Sequence, residues 1–331
     1  MGLLLRPRFR YIRNYSMIIK TFVKRTLLLI ATLFLVTLLA FLAFSIIPGD
    51  PTDTILGLNA TEEQVAALRA ELGLDLPLWK RYVNWVSGFA AGDFGISYNF
   101  DMPVADLLAD RIGPTLTLAG MSFVLILLFS FPLGLLAAQY RGKLIDKVLI
   151  ISNQISMSIP NFVAGIAIVF LFGLVLNWFQ PGGYIAPSAG LAAHLLYMLF
   201  PALAIALPKS AMTAKMLRSS ILSEEGADYI RTAYSKGNSR FSVLWHHVLR
   251  NAMIPIISFL TTTIAELVAG SIVIEKVFSI PGMGQMLVSS ISNRDYPVVQ
   301  AIIVLVALVV VLCNFLADIL YRIIDPRLKG R

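Results

Sequence analysis

The sequence predicts an all-α membrane protein with six transmembrane helices, on three observations. Hydrophobic residues make up 57% of the 331 positions and charged residues only 14%. Six apolar stretches reach the length of a bilayer span, and lysine and arginine concentrate in alternate connections. The mean hydropathy of +0.78 lies far from the balance of a water-soluble globular chain.

A span needs about 20 residues, because a backbone group left unpaired in lipid costs several kcal/mol and a helix pairs its own. Stretches 26–47, 115–139, 148–178, 191–217, 252–274 and 298–321 meet that length. The first follows basic residues as a secretory signal does, yet it outruns a signal core and has no small-residue cleavage site, so it reads as a retained helix. Ahead of it, segment 1–25 interleaves Arg6, Arg8, Arg10, Arg13, Lys20, Lys24 and Arg25 with Phe9, Tyr11, Ile12 and Phe22. That pattern suits a cytoplasmic, interfacial amphipathic helix on anionic lipid better than a nucleic-acid contact.

Lysine and arginine are retained on the cytoplasmic side. With the amino terminus inside, 21 of the 27 fall on inner segments and six on outer ones, namely Arg69, Lys80, Arg81, Arg111, Lys276 and Arg294. Both termini are therefore expected in the cytoplasm, in agreement with an even number of spans. The net charge of +8 reports topology rather than a nucleic-acid partner.

Two connections carry helix signals. Segment 48–113, on the outer side, holds ten acidic residues. Thr61 and Gln64 form a capping-box pair, Val65, Leu68 and Leu72 share a face, and Gly73 closes the helix. A second short helix begins at Pro77, with Trp79, Tyr82, Val83 and Val86 at helical spacing and Gly88 near its end. Together these predict a small extracytoplasmic cap. The inner connection, 218–251, predicts two short helices about a glycine elbow: Asp228 caps the first, Gly237 ends it, and Asn238 or Ser239 caps the next, on which Phe241, Leu244, Trp245 and Val248 recur. This chain has no domain of its own to cover such an apolar face, which either docks a partner or lies on lipid headgroups.

The run Asp228-Tyr229-Ile230-Arg231-Thr232-Ala233-Tyr234-Ser235-Lys236-Gly237, with His247-Val248-Leu249-Arg250-Asn251-Ala252 and Pro255 after it, resembles the cytoplasmic signature loop of binding-protein-dependent ABC importer permeases. The family pattern is Glu-Ala-Ala, three residues, Gly, then Leu-Pro. Here Arg231-Thr232-Ala233 and Leu249-Arg250 replace its ends, as in the dipeptide, oligopeptide and nickel branch. Two further stretches are similar to that branch. One joins Ile47-Pro48-Gly49-Asp50-Pro51, Leu72-Gly73-Leu74-Asp75-Leu76-Pro77-Leu78-Trp79 and Gly92-Asp93-Phe94-Gly95. The other is Val277-Phe278-Ser279-Ile280-Pro281-Gly282-Met283-Gly284 with Asn293-Arg294-Asp295-Tyr296-Pro297-Val298. The resemblance covers nearly all of the chain after about residue 20.

It implies an ABC importer type I permease fold over 26–331 in a bacterial or archaeal cell (inner) membrane. It also implies a second homologous permease, two ATP-binding subunits that carry ATP and Mg, and an extracytoplasmic solute-binding protein, with no cofactor on this chain. Peptides or peptide-like solutes are the implied cargo, with nickel complexes the alternative. Asp228, Tyr229, Arg231, Thr232, Ala233 and Gly237 are the implied coupling residues toward an ATP-binding subunit.

Glu266, inside the fifth span, costs roughly 2.5 to 3.5 kcal/mol at the bilayer centre on insertion scales, so it should face the pore or pair with a neighbouring helix. Asn314 and Asp318, near the inner end of the last span, are weaker candidates. Pro160 and Pro208 can kink their helices. The Pro281, Gly282 and Gly284 turn is a gate candidate, although most turns are only turns.

A membrane-embedded enzyme would need a nucleophile with its base, or a metal set; three histidines and the single Cys313 supply neither, and no Gly-x-Ser-x-Gly or His-Glu-x-x-His occurs. No Gly-x-x-x-x-Gly-Lys-Ser/Thr phosphate loop occurs either. A secondary transporter or channel would be expected to show inverted repeats or several intramembrane charges, and would not require the inner loop.

Overall fold

Long apolar runs become helices here wherever proline does not stop them. The computed structural model describes residues 6–46, 52, 56–57 and 60–324. The Ile47-Pro48-Gly49-Asp50-Pro51 motif and the side chains of residues 6–22 and of Asp318 lie outside the described residues. Among those described, five helices are long and apolar enough to cross a membrane, and a bent pair makes a sixth if its two halves count as one span. There is no strand among them, only an isolated antiparallel bridge between Ile96 and Pro103.

The elements are α1 (Arg6–Ile46), α2 (Glu62–Glu71), α3 (Leu78–Ala90), α4 (Val104–Gln139), α5 (Leu144–Ser158), α6 (Asn161–Ile168) with a π-helical continuation (Val169–Val175), and α7 (Leu191–Glu225). Then come α8 (Asp228–Ser235), α9 (Arg240–Val243), a π turn (Leu244–Val248), α10 (Leu249–Phe278), α11 (Met283–Ser292) and α12 (Tyr296–Ile324). Two compact units are formed, Met1–Gly113 with Gly282–Phe315 and Pro114–Pro281 with Leu316–Arg331.

In the first unit, the expected capping box is present: Gln64 N–H donates to Thr61 Oγ1 at 3.3 Å and Thr61 N–H to Gln64 Oε1 at 3.0 Å. Gly73 closes α2 at φ +62. On α3 the inward face is Tyr82, Trp85, Val86 and Phe89, whereas Trp79 and Val83, grouped with it on spacing alone, are exposed. The aromatic face packs on α1, with the Phe41 ring edge-on to Tyr82 at 5.5 Å and tilted against Trp85 at 5.9 Å, and Thr37 and Tyr82 share a hydroxyl hydrogen bond of 2.9 Å. The residues that follow the Gly92-Asp93-Phe94-Gly95 motif meet the Asn293-to-Val298 motif here, 194 to 198 positions away in the chain. Asp295, fully buried, accepts from Ser97 Oγ and from Tyr98 N–H (3.1 Å), and Asn99 donates to the Asn293 carbonyl at 3.3 Å.

In the second unit α7 is the central element, buried along much of its length and packed on α5, α6 and α10. Its contact with α4 depends on Gly134. A Cβ there would lie 2.9 Å from Leu217 Cδ2 and 3.0 Å from the Ala214 carbonyl, so the leucine would have to move and the backbone to give by a few tenths of an ångström. Aromatic rings fill the end of α7: Phe179 stacks on Phe200 at 4.3 Å, and Tyr197 Oη donates to the Phe278 carbonyl at 2.8 Å. Glu275, also fully buried, accepts from Thr115 Oγ1 (2.8 Å) and Ser271 Oγ (3.1 Å).

Several sequence expectations change. The third span is not a continuous helix: α5 and α6 meet at 98° across Ile159 and Pro160. Ile159 is extended (φ −88, ψ 120) and Pro160 sits at the cap of α6, because proline excludes its predecessor from the helical region and brings no N–H. The second span starts within a longer helix that begins at Val104, where the buried Val104 and Leu108 pack on Met283, Met286, Val298 and Ile302. Pro208, by contrast, lies inside an uninterrupted α7.

Candidate functional site

The inner-loop residues form one unit. α7 runs on to Glu225, the chain turns at Gly226, and α8 starts at once, capped by Ala227 without a side-chain bond. Asp228 is thus the first helical residue and not the cap expected of it. Its carboxylate still lies where a negative charge complements the helix dipole. Ile230 and Ala233 are buried, α8 packs on α9, and the π turn packs on α7. The opposite face carries exposed Asp228, Arg231, Thr232 and Ser235, with Arg231 Nη1 4.0 Å from Asp228 Oδ1. At that exposure the ion pair holds nothing in place. The face is polar and available.

Two clamps fix this unit. Tyr229 Oη donates to the Glu224 carboxylate and accepts from Asn251 Nδ2 (2.8 Å), tying the end of α7 to the start of α10 across α8. Asn238 Nδ2 donates to the Ala233 carbonyl at 3.0 Å. Gly237, at φ +80, makes the elbow, its N–H donating to the Tyr234 carbonyl at 2.9 Å. No atom lies within 4 Å of where its Cβ would be, so the demand for glycine is conformational and not steric. Ser239 Oγ accepts from Ser242 N–H at 3.3 Å, as a cap for α9. Tyr229, Tyr234, Phe241 and Trp245 are left exposed.

Two ion pairs lie behind the loop on α7; the first escaped the sequence reading, and of the second only Glu266 was expected, with a neighbouring helix as one of its two alternatives. Arg218 Nε and Nη2 donate to Asp146 Oδ1 (2.7 Å) and Oδ2 (2.8 Å), and Gly142 N–H donates to the same carboxylate at 2.8 Å. Asp146 is 2% exposed. Further along α7, Lys209 Nζ is bonded to Glu266 Oε2 of α10. Glu266 therefore has a partner on a neighbouring helix, and its side chain keeps 54% of its exposure. Lys209 is counted with the inner-segment charges although it lies within the 191–217 stretch, and Asp146 is not singled out. A charge within an apolar helix was the signal that could have marked Lys209.

The remaining candidates do not join either group. Pro160 stands at the α5/α6 break. Gly282 caps α11 in extended backbone, and Met283 and Gly284 are buried helical residues, so that stretch is a turn feeding a helix. Asn314 is exposed on α12.

Residues 130–330 match the family described as binding-protein-dependent transport system inner membrane component, and residues 18–119 match the amino-terminal part of such components. The probable peptide ABC transporter permease protein y4tP of Sinorhizobium fredii is 37% identical over 306 residues, 92% of this chain and 98% of that protein. The glutathione transport system permease protein GsiC of Escherichia coli strain K12 is 38% identical over 307 residues, 93% and 98% of the two chains. The methionine ABC transporter MetNI, in inward-facing conformations, aligns with a TM-score of 0.53 at 17% identity, over 66% of this chain and 96% of that one. That likeness is one of fold.

Proposed function

Because the chain belongs to the family of binding-protein-dependent transport system inner membrane components, we propose that it is the pore subunit through which peptides or peptide-like solutes are imported. It is a multi-pass inner-membrane protein that works with an ATPase and a solute-binding protein; permeases of this family are not catalytic. The cargo reading rests on the names of relatives matched over nine-tenths of this chain, a peptide permease and a glutathione permease, which favours peptides over nickel complexes.

In this reading the assembly is completed by a second homologous permease and two ATP-binding subunits that hold ATP and Mg. Both termini lie in the cytoplasm, with segment 1–25 at the lipid interface, 48–113 as an extracytoplasmic insertion and 218–251 as the cytoplasmic coupling loop. The polar face of α8, with Asp228, Arg231 and Thr232, meets an ATP-binding subunit. Ile230, Ala233 and the Tyr229 clamp pass its displacement to α7 and α10, and ATP sets direction because closure of the ATP-binding subunits favours one access state. Pro160 is the hinge candidate this arrangement retains.

The observation that carries the mechanism is α8 itself: a short helix anchored on one face, polar and uncovered on the other, bonded through one tyrosine to two spans. The test is purification of the tagged chain from native membranes in mild detergent, with ATPase assayed with and without the solute-binding protein. Stoichiometric ATP-binding partners and stimulated hydrolysis are expected. A homo-oligomer without a nucleotide-binding partner would turn the reading toward a secondary transporter or channel.

A further inference from the structure

Lys209 lies at the middle of the helix Leu191–Glu225, and Glu266 lies roughly 18 Å from the Phe278 end of its helix at 1.5 Å per residue. Both belong to spans, yet the Lys209 side chain keeps 25% and the Glu266 side chain 54% of their exposure within this chain. Hydrocarbon does not cover such a pair, since charges at that depth face protein or water. The surface around Glu266 agrees. Thr262, Ala269, Gly270 and Val273 are exposed at helical spacing with it, a small and partly polar strip on α10. A Cβ at Gly270 would have nothing within 4 Å.

We infer that the Lys209 and Glu266 pair is a cargo-binding station in the translocation path, taking zwitterionic ligands whose ammonium and carboxylate groups replace the two halves of the pair. This rests on the importer reading. The chemistry is one of exchange. Unliganded, each charge neutralises the other, so the open path is not blocked by a standing field. With cargo present, Glu266 accepts from a ligand ammonium and Lys209 donates to a ligand carboxylate, and the total charge of the site is unchanged. Hydrogen bonds to ionised groups are the stronger kind and gain further where water is excluded. A contact of that type changes affinity about tenfold. A neutral solute has no such exchange to offer, and the site therefore discriminates by charge pattern while remaining indifferent to side chains between the termini.

The test uses the assembled transporter in proteoliposomes, with Cys313 replaced by serine and Ala269→Cys as the reporter. A charged, membrane-impermeant methanethiosulfonate reagent reports water access to the strip, and a tryptic digest of casein is the zwitterionic competitor. The expected result is labelling slowed about tenfold by the digest, protection lost in Glu266→Gln, and protection kept when the charges are exchanged by Lys209→Glu with Glu266→Lys. The last variant also controls for folding. An unreactive reporter, a disulfide between two permeases, or equal protection in Glu266→Gln overturns the inference. If intact wild type shows no ATP-driven uptake, the importer reading fails instead; uptake that persists unaltered in Glu266→Gln sinks only the cargo station.

Discussion

The two ion pairs of α7 use the same chemistry for different ends. Asp146 and Arg218 form a bidentate pair in which the carboxylate side chain is 3% exposed and takes a third bond from Gly142. Lys209 and Glu266 form a single contact that leaves both heads partly open. The closed pair has nothing further to bind and acts as a strut between α5 and the loop-proximal half of α7. The open pair has valence to spare. Burial, rather than the identity of the charges, separates a structural contact from a recognition site.

Breaking the strut gives the largest expected effect. Asp146→Ala leaves the Arg218 guanidinium without its acceptor and should cost about 3 to 5 kcal/mol, read by thermal unfolding in detergent. Asp146→Leu with Arg218→Met should recover most of that loss, since an apolar pair of similar volume needs no desolvation. Failure of the double variant to recover would mean that the charges serve coupling as well as packing.

Gly134→Ala attacks the same half of α7 from α4. The new methyl meets the Ala214 carbonyl at 3.0 Å, and overpacking of that kind costs about 1 to 3 kcal/mol. An unchanged melting temperature would show that the helices separate more easily than their contact suggests.

Gly237→Val sharpens the comparison at the loop. A left-handed residue with a Cβ costs roughly 1 to 2 kcal/mol, more when β-branched, while the side chain itself has room. Membrane insertion should be retained and uptake lost, with Gly237→Asn intermediate because asparagine tolerates that backbone. Uptake equal to wild type in Gly237→Val would remove the elbow from the mechanism.

Glu266→Gln should be the mildest for stability, under about 1 kcal/mol as expected of a partly exposed pair. A large loss of stability there would make the open pair a second strut and erase the contrast with Asp146.

What the sequence made legible follows from range. The capping box at Thr61, the elbow at Gly237 and five of the six spans are local patterns, fixed by residues within a few positions of each other. The pairs join residues 72 and 57 positions apart, and no periodicity along one helix announces such a partner. Proline was legible only as a possibility. Pro160 breaks its span because Ile159 adopts the extended backbone that proline prefers before it, whereas Pro208 is absorbed in a helix packed on three others. The start of α4 at Val104 was hidden for a related reason: its first turns are buried by residues from beyond position 280, which a hydropathy window cannot see.

The coupling role of α8 is tested most directly by Thr232→Cys in the assembled transporter, with Cys313 replaced by serine so that it is the only thiol on the chain. A short thiol-to-amine crosslinker should join it to an ATP-binding subunit and arrest ATP-driven uptake. Efficient uptake with no such adduct, and with the thiol modified only by lipid-phase reagents, would contradict the account and assign the loop to the membrane surface.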